Sequence, residues 1–219
     1  MSADVTGRGI PFVVSAPSGT GKTTVCRGVV ARDAGIAFSI SHTTRAMRPG
    51  EQNGRDYHFV SQGEFRRLVA EGAFVEHAEY AGNSYGTSWG SLDTPLAAGR
   101  DLLLEVDVQG ALQLRERRRD ARFVFLLPPS RDELVRRLTG RGTDAPDAIA
   151  RRLAAVDAEL RAVHAFDYAI VNDDVAQATE ALLAVIAAER AGDTAAVQAR
   201  WGRERVVASL AGALPIPAR

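Results

Sequence analysis

Apolar residues in this chain fall into short continuous runs, separated by longer stretches in which apolar positions recur at helical spacing. The runs are IPFVVSA from Ile10, IAFSI from Ile36, DLLLEVD from Asp101, RFVFLL from Arg122 and YAIVN from Tyr168. Because they scarcely alternate with polar residues, they predict strands covered on both faces, as in a parallel sheet. Helices are predicted over Lys22 to Arg32, Gln109 to Arg119, Ser130 to Thr139, Pro146 to Ala165 and Ala176 to Arg190. Ser130 and Glu133 stand at capping-box spacing, which supports the third start. Alternation of strand and helix specifies an α/β core.

Between Ser41 and about Gly90 the pattern changes. Short β-like pieces, DYHFV, AFVEHAEY and NSYGT, surround a helix from Ser61 to Glu71, which reads as an inserted α+β lobe. TGRGTDAP, from Thr139, is a charged, glycine-punctuated segment between two helices and is expected to form a mobile cover. The Ala- and Arg-rich tail after Ala191 is expected to be helical or frayed.

Composition narrows the class. With 46% hydrophobic and 25% charged residues, the 219-residue chain is long enough for one domain with a substantial core. Its 27 basic and 27 acidic residues cancel, so no overall field favours nucleic acid or a membrane surface. Cys26 is the only cysteine, which excludes an internal disulfide and suits a reducing cytoplasm. No apolar run is long enough to span a bilayer, and the start lacks the apolar core of a secretory signal. Monomer and homo-oligomer both stay open.

The first candidate chemistry lies between the first strand and first helix, in SAPSGTGKTT. Ala16, Pro17, Ser18, Gly19, Thr20, Gly21, Lys22 and Thr23 fit the phosphate-loop pattern G-x-x-x-x-G-K-[ST], with alanine in place of the first glycine; Thr24 follows. Consecutive N–H groups at a helix N-terminus can cradle an anion, and glycines allow close backbone approach. Lys22 is expected to reach the β- and γ-phosphates of a nucleoside triphosphate, and Thr23 to face a magnesium ion.

The second lies in the lobe. Arg45 and Arg48, with the phenols of Tyr57 and Tyr85, can hold a phosphate dianion. Glu76 can accept from guanine N1–H and its 2-amino group, while Ser41 and Thr87 donate toward O6. Adenine has neither of those donors and presents one of its own where guanine has O6, so it would leave such groups unpaired.

SAPSGTGKTT, SHTTRAMRPGE, GRDYHFV, FVEHAEYAGNSYGTS, EVDVQGA, FLLPPS, RRLTGRGTD and IVNDD occur in this order, and together they resemble the guanylate kinase family from about Ile10 to Arg190. In that family the loop also begins with alanine and proline. The resemblance implies a P-loop three-layer α/β sandwich around a mostly parallel sheet, with an inserted α+β GMP-binding lobe and a short helical lid. On this chain the domain would cover 8–190: core 8–41, 91–138 and 165–190, lobe 42–90 and lid 139–164, with 191–219 as tail. The implied activity is γ-phosphoryl transfer from ATP to GMP, and to dGMP, with Mg2+, giving ADP and GDP in purine nucleotide metabolism.

By position, Ser41, Glu76 and Thr87 match the family's guanine readers, and Arg45, Arg48, Tyr57 and Tyr85 its GMP phosphate holders. Asp107 matches an acidic residue on the guanine side, and Glu51 a residue that places the arginines. Arg137, Arg141 and Arg152 match lid arginines with a catalytic role beside Lys22, and Asn172 an adenine-side contact. Glu105 departs from the family's usual aspartate, one methylene longer. Arg117, Arg118, Arg119 and Arg136 are expected to be solvent-facing charges. The GMP phosphate is already ionised near neutral pH, so no general base is required, and His42, His58, His77 and His164 are not assigned to catalysis. Two other readings compete: a non-catalytic module that binds a peptide in the GMP lobe, and a kinase for another phosphate acceptor. Lys22 and the lid arginines argue against the first, and the Glu76 hydroxyl set against the second.

Overall fold

A computed structural model describes residues 7–80, 82–139 and 156–216. Five parallel strands form the core sheet: β1 (Pro11–Ser15), β2 (Ile36–Phe38), β7 (Asp101–Glu105), β8 (Arg122–Leu127) and β9 (Tyr168–Val171), in the order β2-β7-β1-β8-β9. Side-chain parity along these strands builds two cores. Val13, Leu102, Leu104, Phe123, Phe125 and Ala169 point to one face, and Phe12, Val14, Leu103, Val124, Leu126 and Ile170 to the other. Each face is covered, which is why the runs are apolar at every position.

α1 (Lys22–Arg32) and α6 (Val175–Ala191) cover the second face, through Val25, Val29, Leu182, Val185 and Ile186. The first face carries α3 (Trp89–Ala97), α4 (Val108–Arg117) and α5 (Arg131–Thr139), through Leu92, Leu96, Leu114, Leu134 and Leu138. Residues 156–161 are helical and run into a 3-10 turn, Ala162–Ala165. The tail forms α7 (Ala195–Trp201) and α8 (Arg203–Ser209); Val197 and Val206 are buried, and Gly202 between the helices bridges Tyr168 on β9.

The lobe between β2 and β7 is a second, four-stranded sheet in the order β4-β3-β6-β5, with β3 at His42–Thr43, β4 at His58–Phe59, β5 at Phe74–Tyr80 and β6 at Asn83–Ser88. Its helix, α2 (Gln62–Ala70), is capped by Ser61, whose hydroxyl accepts from Glu64 N–H at 3.1 Å. α3 has no counterpart in the apolar pattern because Pro95 lies inside it, where proline removes a helical donor. Several predicted elements are trimmed: IAFSI pairs only over Ile36–Phe38, and DYHFV only over His58–Phe59. The predicted segment 146–155 lies outside the described residues. No described helix is long and apolar enough to cross a membrane.

Candidate active site

β1 ends at Ser15, and α1 starts at Lys22; the loop between them turns through Gly19 and Gly21 at φ 83° and 90°, a left-handed region that suits glycine. Asn172, following β9, holds this loop from beneath. It is 1% exposed, and its Nδ2 donates to the Thr20 carbonyl at 2.6 Å. A Cβ on Gly21 would lie 2.7 Å from the same Nδ2. Asn172 is thus a buried brace of the loop.

The end of β7 meets the loop from the other side. Lys22 Nζ donates to the Val106 carbonyl at 2.5 Å, and the Thr23 hydroxyl donates to Glu105 Oε1 at 2.5 Å. Glu159, from the helical segment 156–161, accepts from Ser18 N–H at 3.2 Å. Burial pushes its carboxyl above the ordinary range, against the opposing effects of that N–H and of Lys22. Nothing in the sequence pattern singled Glu159 out, since it is one acid on an alanine-rich helix.

One cleft of about 470 Å3 joins this loop to the lobe, lined on the lobe side by Ser41, Tyr57, Glu76 and Tyr85 and at its floor by Asp107. Ser41 Oγ and Thr87 Oγ1 lie 3.1 Å apart. Glu76 is only 4% exposed, and burial pushes its carboxyl up to about 7; Thr87 beside it opposes the shift and Asp107 adds to it. Asp107 also caps α4, accepting from Gly110 N–H at 2.7 Å.

At the lobe's open end, Glu51 organises the arginines. Its Oε1 accepts from Arg45 Nη2 at 2.7 Å and its Oε2 from Arg48 N–H at 2.7 Å. The Arg45 guanidinium beside it holds the Glu51 carboxyl below the usual range. Arg45 also stands over the Tyr57 ring at 5.5 Å, and the Tyr57 and Tyr85 rings meet edge-on with centroids 6.0 Å apart. Burial raises the Tyr57 phenol, keeping it a neutral donor. Arg48 is exposed.

Arg137 on α5 donates to Glu133 Oε1 at 2.7 Å and to the Asn172 carbonyl at 3.0 Å. Arg141 and Arg152 lie outside the described residues. Of the arginines expected to face solvent, Arg118 does not, while Arg117 is exposed as expected but also bonds the backbone. Arg117 donates to the Val75 carbonyl at 2.7 Å, and Arg118 is 7% exposed, bound by Asp120 and Asp93. α4 ends between them, and the chain turns back there, folding both side chains onto the protein.

The same arrangement of segments is found in known proteins. The family described as guanylate kinase matches residues 8–189. A guanylate kinase of Dechloromonas aromatica is 58% identical over 177 residues, covering 81% of this chain and 88% of that protein. One of Geobacter sulfurreducens is 48% identical over 182 residues, covering 83% and 90%. The crystal structure of guanylate kinase from Anaplasma phagocytophilum superposes with a TM-score of 0.70 at 32% identity, covering 97% of this chain and 98% of that one. A match of this extent, over core and lobe alike, means that the chain belongs to the guanylate kinase family.

Proposed function

We propose that the cleft transfers the γ-phosphoryl group of ATP to GMP, with the loop holding the donor and the lobe the acceptor. One observation carries this reading: a buried carboxylate, Glu76, and the Ser41 hydroxyl, backed by buried Thr87, share one cleft with the phosphate loop. An ionised Glu76 accepts from guanine N1–H and the 2-amino group, and the hydroxyls donate to O6. Arg45, held by Glu51, and the phenols of Tyr57 and Tyr85 take the GMP phosphate, with Arg48 closing on it from the rim.

Phosphoryl transfer asks the protein for alignment and for neutralisation of oxygen charge. The N–H groups of residues 19–24 take the donor phosphates, and Lys22 leaves the Val106 carbonyl to reach the β- and γ-oxygens. A GMP phosphate oxygen, already ionised, attacks in line. Arg137 stabilises the transferring group, joined by Arg141 and Arg152 through their match to the family's lid arginines, and exclusion of water from the cleft keeps it from being the acceptor.

The Thr23 hydroxyl and Glu105 carboxylate, oxygens 2.5 Å apart at the phosphate end, form the hard-oxygen donor set that suits Mg2+. When bound, the ion shields donor phosphate charge. Glu105 offers the same charge as the family's aspartate, and its longer arm already reaches Thr23.

A coupled ADP-release assay with GMP, dGMP, AMP, CMP and UMP tests this reading. Turnover with GMP and dGMP is expected; no turnover with GMP would sink the activity, and faster turnover with AMP would sink the base assignment. The lone cysteine, Cys26, is buried, in keeping with a cytoplasmic enzyme.

A further inference from the structure

β5 carries Glu76 and is the outer strand of the lobe's sheet, so among the described residues its outward N–H and C=O groups have no strand to pair with. α4, from the core, supplies partners instead. Gln113 accepts from His77 N–H through Oε1 at 3.2 Å and donates through Nε2 to the His77 carbonyl at 2.8 Å. One side-chain amide thus makes the pair of bonds that a residue on a neighbouring strand would make. Arg117 donates to the Val75 carbonyl at 2.7 Å and to that of Phe74 at 3.4 Å. Val75 is where the β5–β6 register shifts, between Phe74 and Glu76. A bulge there re-aims the next side chain, which is Glu76.

Gly110 lies on the same face of α4, at i, with Gln113 at i+3 and Arg117 at i+7. A Cβ on Gly110 would stand 2.5 Å from Glu76 Oε2. The residues before and after Glu76 are therefore pinned by α4, and its carboxylate rests in space that a missing side chain leaves open.

We infer that Gly110, Gln113 and Arg117 are positioning residues that set where the Glu76 carboxylate stands, and through it the enzyme's preference for guanine over adenine. The inference rests on Glu76 reading the base. An edge strand left unpinned could slip or flex, and a charged reader displaced by an ångström loses its bonds to the base.

Gly110→Ala in the full chain separates position from stability. Alanine is the better helix former, and the clash falls on the far end of a side chain rather than on backbone, so the thermal midpoint is expected to hold. KM for GMP is expected to rise on the order of tenfold, with KM for ATP unchanged and the GMP-over-AMP ratio of kcat/KM reduced by a similar factor. Gln113→Ala and Arg117→Ala are expected to shift KM for GMP in the same direction, and Arg117→Lys, which keeps a donor for Val75, to restore much of it. A Gly110→Ala enzyme with unchanged KM for GMP and unchanged base preference would overturn the inference, as would equal rises for both substrates. Glu76→Ala is the control. If it alone keeps the guanine preference, the reading of Glu76 fails and the inference with it; if it loses the preference while Gly110→Ala keeps it, only the inference fails.

Discussion

The two halves of the cleft, to which we assign phosphate and base, are built by opposite means. The donor half is a run of eight consecutive residues, Ala16 to Thr23, whose backbone amides present a cradle at a helix start. The half assigned to the acceptor draws Glu76 from β5, Tyr85 and Thr87 from β6, and Ser41, Arg45 and Tyr57 from the segments that flank β3 and β4. A backbone cradle needs only the turn that shapes it, and glycine in the left-handed region supplies that turn. A side-chain reader needs every supporting segment in register, so its accuracy is a property of the fold around it.

The sharpest break of this contrast is Lys22→Ala. Loss of the ammonium from the transferring phosphates is expected to lower kcat by roughly a thousandfold, while calorimetry shows GMP binding nearly unchanged. Comparable losses of GMP affinity would mean that the halves are not separable.

Glu76→Gln comes next, with kcat/KM for GMP expected to fall by about a hundredfold and KM for ATP to stay put. It also carries a pH signature. The Glu76 carboxyl lies at about 7 in the folded protein against an ordinary value of 4.5, so between the two the fold holds a proton that the unfolded chain releases. Its contribution to stability therefore declines as pH rises through that window. Guanine recognition runs the other way, since only the ionised form accepts from both donors. GMP affinity is expected to weaken below about pH 7 more steeply than ionisation of the GMP phosphate, near 6, explains. Titration of Glu76→Gln should show only the phosphate's share; an identical profile in both proteins would remove Glu76 from the base site.

The smallest effect is expected from Glu51→Ala, which frees Arg45 without removing it: KM for GMP should rise by about tenfold or less. Restoration of wild-type KM by Glu51→Gln would show that placement of the arginines, rather than charge at the rim, is what Glu51 contributes.

The same contrast decides what could be read from the chain. The phosphate loop and all five core strands were visible, because a covered parallel strand is apolar at each position and the loop is contiguous. Glu76 could be matched to guanine by chemistry, yet its burial came only from the fold. Gly110 stood in a recognisable segment, EVDVQGA, without any local reason for glycine; that reason is the Glu76 carboxylate, 34 residues earlier in the chain. Arg118 reads as a solvated charge because the acids that take it are set by how α4 ends, and the bond from exposed Arg117 to the Val75 carbonyl has the same origin. The brace from Asn172 to the Thr20 carbonyl, far away in sequence, likewise came only from the fold.

Three consecutive residues at the end of β7 touch both halves. Glu105 meets Thr23, the Val106 carbonyl meets Lys22, and Asp107 caps the helix against which Glu76 rests. From Glu105 to Asp107 the extended chain spans about 7 Å. With the substrates placed as we propose, that span acts as a ruler between them, graduated in peptide units rather than in side chains. Loops of the lobe can lengthen or shorten without altering it, whereas one residue added between Glu105 and Asp107 would change the spacing and reverse the side to which the second acid points.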